Sequence, residues 1–172
     1  MFKGDFRFWG KHATMADELL DVNEGVFDTL YDLVLSAAIV GFISRETAKE
    51  TGDRNSTKTI FSDKWSREHA KTDLIVKTLL LADKKVEGVE QYSRSDRALR
   101  FYTEPDVGRL NQEYLKGYAL KGIEILYQEL KNQPNNMDIV SYINYIMNKY
   151  VENDDVTQKT HDLIIGLSKK AY

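Results

Sequence analysis

Leu33-Val34-Leu35-Ser36-Ala37-Ala38-Ile39-Val40-Gly41-Phe42-Ile43 is the most apolar run of the chain, eleven residues broken only by Ser36 and Gly41. Eleven residues are too few to span a bilayer, and Asp28 and Asp32 stand just upstream. The run therefore reads as part of a buried helix. Extended outward to about Glu24 and Glu46, with Asn23 as its N-cap, this helix carries Val26, Phe27, Leu30 and Tyr31 before the run begins. Beyond Leu30 nearly every face is apolar, the mark of a helix at the centre of a fold.

Helical periodicity recurs on both sides. Ala13 to Val22 reads as a first helix. Asp63 is placed to cap a helix from Lys64 to about Lys84, with Trp65, Ala70, Leu74, Ile75, Leu79 and Ala82 inward and Leu80 and Leu81 widening the stripe. A shorter segment follows from Val86 to Tyr102. Thr103 or Asp106 opens the longest helix, to about Lys131, with Leu110, Tyr114, Leu115, Tyr118, Ala119, Ile123, Leu126 and Leu130 on its apolar side. Gly117 and Gly122 interrupt that stripe, where a small residue lets another helix come close. Two further helices are expected, Met137 to Val151 and Val156 to about Lys170. The two prolines, Pro105 and Pro134, both fall between helical patterns.

The expected fold is all-α, a single-domain orthogonal or bundle-like arrangement of six or seven helices with a short extended N-terminal arm. At 172 residues, one domain of this size buries enough surface to need no disulfide or metal staple. Residues 47–63 are polar, contain Gly52, and read as a mobile loop, the first expected site of proteolytic nicking.

Composition narrows function mostly by exclusion. Cysteine is absent, which removes a disulfide framework, a thiolate zinc site and a cysteine nucleophile, and fits a reducing, cytoplasmic setting. Met1 to Asp5 has no apolar region of the kind a signal peptide needs. Net charge is −3, distributed as −4 over residues 1–44, +3 over 45–123 and −2 over 124–172. That mild alternation is not the strongly basic footprint of a dedicated nucleic-acid binder.

His12, His69 and His161 do not pair at helical spacing, and no HExxH pattern occurs. No metal and no cofactor are expected. Acids at 17, 21, 24, 28 and 32 would line one face of a continuous helix, and read as a solvated stripe unless Gly25 breaks it. Pro105-Asp106 followed by Glu113 and Lys116 does not match nuclease spacing. Neither a phosphate-cradling glycine loop nor a G-x-S-x-G elbow is present. No catalytic residue is assigned and the chain is expected not to be an enzyme.

Two surfaces remain as binding candidates. Phe6, Phe8 and Trp9 place aromatic area on the opening arm, interleaved with Lys3, Arg7, Lys11 and His12. Such an arm must lie across a groove, on its own core or on a partner. With Tyr118, Tyr142 and Tyr145 from the tyrosine-rich helices, it forms the candidate protein-binding set, for a partner protein or for self-association. Arg94, Arg97 and Arg100 recur every three residues, with Arg109 nearby. On a regular helix they form a ridge suited to phosphates, so the alternative is a nucleic-acid-binding module. The ordinary role of such arginines is pairing with acids of the same fold.

Phe6 to Ala13 (FRFWGKHA), Asp32 with Ala37-Ala38-Ile39-Val40-Gly41, Leu79 to Asp83 (LLLAD) and Tyr114 to Tyr118 (YLKGY) together resemble small helical bacterial proteins encoded beside restriction or phage-defence genes. The resemblance implies a non-catalytic accessory or adaptor subunit in a bacterial multiprotein complex. It carries over no catalytic residue.

Overall fold

The computed structural model describes residues 4–22, 27, 29–50, 54–86 and 92–131, together with positions 141, 144, 145 and 148. The chain forms two compact units, residues 1–128 and 129–172, where the sequence pattern suggests one domain. The helices expected over 137–151 and 156–170 fall mainly outside the described residues. So does Tyr142. Tyr145 is helical and exposed.

The first unit is mainly helical. Strand β1 (Phe6–Trp9) leads into α1 (Lys11–Val22) and α2 (Leu30–Ile43). Strand β2 (Thr57–Ile60) is followed by α3 (Ser62–Arg67) and α4 (His69–Ala82). A 3-10 turn at Lys84–Val86 and a π-helical turn at Asp96–Arg100 precede α5 (Pro105–Lys131). The two strands correct the all-α expectation. They pair antiparallel, with Phe6 opposite Ile60 and Trp9 opposite Thr57. The aromatic arm is thus a strand, and its partner lies inside the segment read as a mobile loop. Thr57, Thr59 and Ile60 are β-branched and suit a pleated surface. Gly10, at φ 67°, makes the corner from β1 into α1 in a conformation that favours glycine.

Period-2 alternation sends Phe6 and Phe8 inward and Arg7 outward. Phe6 packs 5.4 Å from Trp65, and Tyr31 packs 5.0 Å from the same indole, so β1, α2 and α3 share one aromatic core. The Tyr31 hydroxyl donates to the Glu68 carbonyl at 3.1 Å and meets Thr72 Oγ1 at 2.7 Å.

Helix α2 starts later than its composition suggests. Its N-cap is Thr29, not Asn23, and the Thr29 hydroxyl accepts from the Asp32 amide at 3.2 Å. Eight of its residues are buried: Tyr31, Leu33, Val34, Leu35, Ala37, Ala38, Val40 and Gly41. The central position read from its composition is the one it occupies. It also approaches α5 at backbone range. A Cβ on Gly41 would collide with the Tyr118 carbonyl, and one on Gly122 with the Ala37 carbonyl. Two glycines, one on each helix, let the backbones touch. The close approach expected at Gly122 is therefore present, while Gly117 lies under the Thr47 side chain.

The helix expected over 64–84 is two helices. The chain kinks at Glu68, whose φ of −99° and ψ of 20° leave the α region. Helix α3 begins at Ser62, ahead of the expected cap Asp63, and its first amide donates to the Asp5 carboxylate at 3.1 Å. Pro105 is the first residue of α5, where its missing amide hydrogen costs nothing.

Candidate functional site

The kink at Glu68 sets the rotation of α4, and that rotation differs from the one periodicity suggested. The inward residues are Thr72, Val76, Leu79 and Leu80. Ala70, Leu74 and Ala82, expected inside, are exposed. On the outer side, Ala70, Leu74, Thr78 and Leu81 are all exposed and fall within an arc of about 80° at 3.6 residues per turn. Leu74 is 69% exposed and Leu81 42%. The Thr78 hydroxyl is turned back onto the Leu74 carbonyl at 2.7 Å, which lowers the penalty of covering it. Isolated exposed leucines are ordinary, but a row at helix-packing spacing is the pattern by which one helix receives another.

A buried polar cluster holds the C-terminal end of α4 in place. Asp83 ends the helix and is buried. Its Oδ2 accepts from the Tyr114 hydroxyl at 3.0 Å and the Tyr118 hydroxyl at 2.6 Å, and its Oδ1 accepts from the Lys85 amide at 2.9 Å. Tyr114 and Tyr118 lie four apart on α5 and so share a face. Burial, reinforced by the Asp83 charge, pushes both phenols well above the usual tyrosine range, so both act as neutral donors. A buried carboxylate accepting three hydrogen bonds is a satisfied structural group.

Beside it the π-helical turn rearranges the arginines. The Phe101 amide donates to the Asp96 carbonyl at 2.8 Å, a five-residue closure that widens the turn. Residues three apart then cease to stack on one side. Arg97 is 1% exposed, with Nε and Nη2 donating to Asn111 Oδ1 at 3.1 and 3.0 Å and the guanidinium 5.6 Å from the Tyr114 ring. Arg94 donates to the Leu81 carbonyl at 3.0 Å. Arg100 is exposed and lies 5.0 Å from the Phe101 ring, and Arg109 is exposed on α5. The expected ridge is not formed: Arg97 is inside while Arg100 is outside. Leu99, next to both, is 67% exposed.

The aromatic candidates are also redistributed. Phe6, Phe8 and Tyr118 are buried in their own unit and offer a partner no surface. Trp9 is half-buried between two cations, with the Arg54 guanidinium 5.1 Å and Lys116 Nζ 5.0 Å from its ring. The acidic stripe is split between helices. Asp17 pairs with Lys58, and Asp32 with Lys71 at 2.5 Å. Burial pushes the Asp32 carboxyl up, but the Lys71 and Thr29 hydrogen bonds more than reverse this and hold it below its ordinary value. Positions 24 and 28 lie outside the described residues.

His69 Nδ1 lies 3.0 Å from the Ser66 carbonyl on the surface. His12 is fully buried, with Nε2 3.0 Å from Glu124 Oε1. Among the described residues no group of three or more His, Asp or Glu side chains is arranged to hold a metal ion. No helix among them is long and apolar enough to cross a membrane. Sequence reading missed the outer row of α4 because it assigned those leucines to the core. The surplus of apolar residues on that helix, more than one face accommodates, was the available signal. No family model, curated protein or solved structure matches the chain.

Proposed function

We propose that this chain is a non-catalytic accessory or adaptor subunit that assembles with a partner protein through the outer face of α4. One observation carries the reading: Ala70, Leu74, Thr78 and Leu81 form an exposed row at helix-packing spacing on a helix whose opposite side is already buried. The complementary ligand is an amphipathic helix that inserts apolar side chains along that row. The buried Asp83 cluster supports the same reading, because it fixes the rotation of α4 and so keeps Leu74 and Leu81 outside. The likeness to small helical proteins encoded near restriction and phage-defence genes suggests a bacterial defence complex as the setting.

The test is affinity capture from the native host, followed by light scattering of the isolated complex, with the wild type and a Leu74→Glu/Leu81→Glu variant. Both substituted side chains are exposed, so folding should be retained, as circular dichroism would check. The expected result is a defined complex with the wild type and its loss with the variant. A folded variant that retains the complex would refute this surface.

A further inference from the structure

The outer row of α4 has a size pattern as well as an apolar one. Ala70, Leu74, Thr78 and Leu81 run small, large, small, large, and all are exposed. At 1.5 Å per residue the two leucines stand about 10 Å apart along the axis, and the small residues leave gaps in the ridge beside them. Gaps of this kind receive large side chains from a facing helix. A lipid surface or a phosphate backbone has no side chains to seat there.

One margin of this row carries positive charge that its own chain leaves uncompensated. Lys77 borders the row, three residues after Leu74 and four before Leu81. Its Nζ lies 4.5 Å from the centroid of the Tyr102 ring, and it forms no ion pair among the described residues. Asp73, one turn back, is the carboxylate spaced to pair with it, but Asp73 accepts from the Tyr102 hydroxyl at 2.8 Å instead. The π-helical turn packs against α4 on this side and carries the exposed Leu99 and Arg100. Arg100, and the exposed Lys84 just past the end of α4, also form no ion pair among the described residues. On the opposite margin Lys71 is neutralised by Asp32 at 2.5 Å.

We propose that the helix received by α4 is acidic: it seats large apolar side chains over Ala70 and Thr78 and carries aspartate or glutamate along the edge that faces Lys77, Lys84 and Arg100. The inference rests on the reading of α4 as the assembly surface and adds the charge of its ligand. The three cations then gain counter-charges that their own chain does not supply. Each rim pair of this kind contributes little to affinity alone. Its main effect is on which partner is accepted, because a helix with a basic edge meets repulsion at the same three positions.

Two synthetic helical peptides test this against the full chain, with fluorescence anisotropy as the readout. Both carry the same leucine row at helix spacing; one is flanked by glutamates, the other by lysines. At low salt the acidic peptide should bind about tenfold more tightly, the scale of three weak ion pairs, and added salt should narrow the gap. Lys77→Glu should cut the preference to about threefold or less. Because Lys77 also rests on Tyr102, the exposed pair Lys84→Glu/Arg100→Glu serves as a second variant, expected to close the gap with an unchanged circular dichroism spectrum. Equal binding of both peptides by the wild type, or a preference that survives both charge reversals, would overturn the acidic ligand. If Leu74→Glu/Leu81→Glu still abolishes the host complex in that case, the α4 surface stands and only the charge of its ligand is wrong. The inference also falls if neither peptide binds, if the chain alone forms a dimer that Leu74→Glu/Leu81→Glu dissolves, or if phosphatidylserine vesicles or duplex DNA bind in preference to the acidic peptide.

Discussion

Helices α2 and α4 each have fourteen residues and are rich in aliphatic side chains, yet the fold uses them differently. Helix α2 buries eight residues and meets α5 backbone to backbone through Gly41 and Gly122. Helix α4 buries four and leaves two leucines in water. Apolar composition therefore states how much surface a helix would gain by being covered, and not whether its own chain covers it. The uncovered remainder on α4 is the basis of the proposed partner surface.

Gly122→Val attacks the α2 side of this contrast most severely. Its branched side chain has nowhere to go but into the Ala37 carbonyl, so the expected loss is about 4 kcal/mol or more in denaturant unfolding. A variant of near-wild-type stability would mean that the two helices do not touch as described. Leu33→Ala removes a fully buried side chain of α2 and is expected to cost about 3 kcal/mol. Leu74→Ala deletes the same atoms from α4, where they face solvent, and the midpoint should change by no more than about 0.5 kcal/mol. Similar losses at Leu33 and Leu74 would erase the distinction between the helices and the proposed binding surface built on it.

The sequence was informative wherever the signal was local. The apolar circumference after Leu30 placed α2 at the centre, Pro105 marked a helix boundary, one residue from where α5 was expected to open, and Gly122 announced a close helix contact. Legibility ended where partners are distant in the chain. Thr57 to Ile60 looks like polar loop until Phe6 to Trp9 lies beside it, and a four-residue strand has too little alternation to declare itself. The arginines at 94, 97 and 100 looked like a ridge because a regular helical pitch was assumed. The π-helical turn changed that pitch.

The candidate sites were the least legible part. Phe6, Phe8 and Tyr118 have the chemistry of contact residues, and burial in their own unit removes them from that role. Leu74 and Leu81 look like core and are exposed. His12, read from the sequence as part of the aromatic arm, has its partner in Glu124, 112 residues away.

The order of residues alone determined that the chain makes apolar-faced helices with a central one among them, because helical period and glycine placement are properties of neighbouring residues. Which way α4 is turned, which strand answers β1, and which polar atoms are left unpaired were decided only by the tertiary structure. Those outcomes depend on groups brought together across long stretches of chain, and no local pattern encodes their meeting.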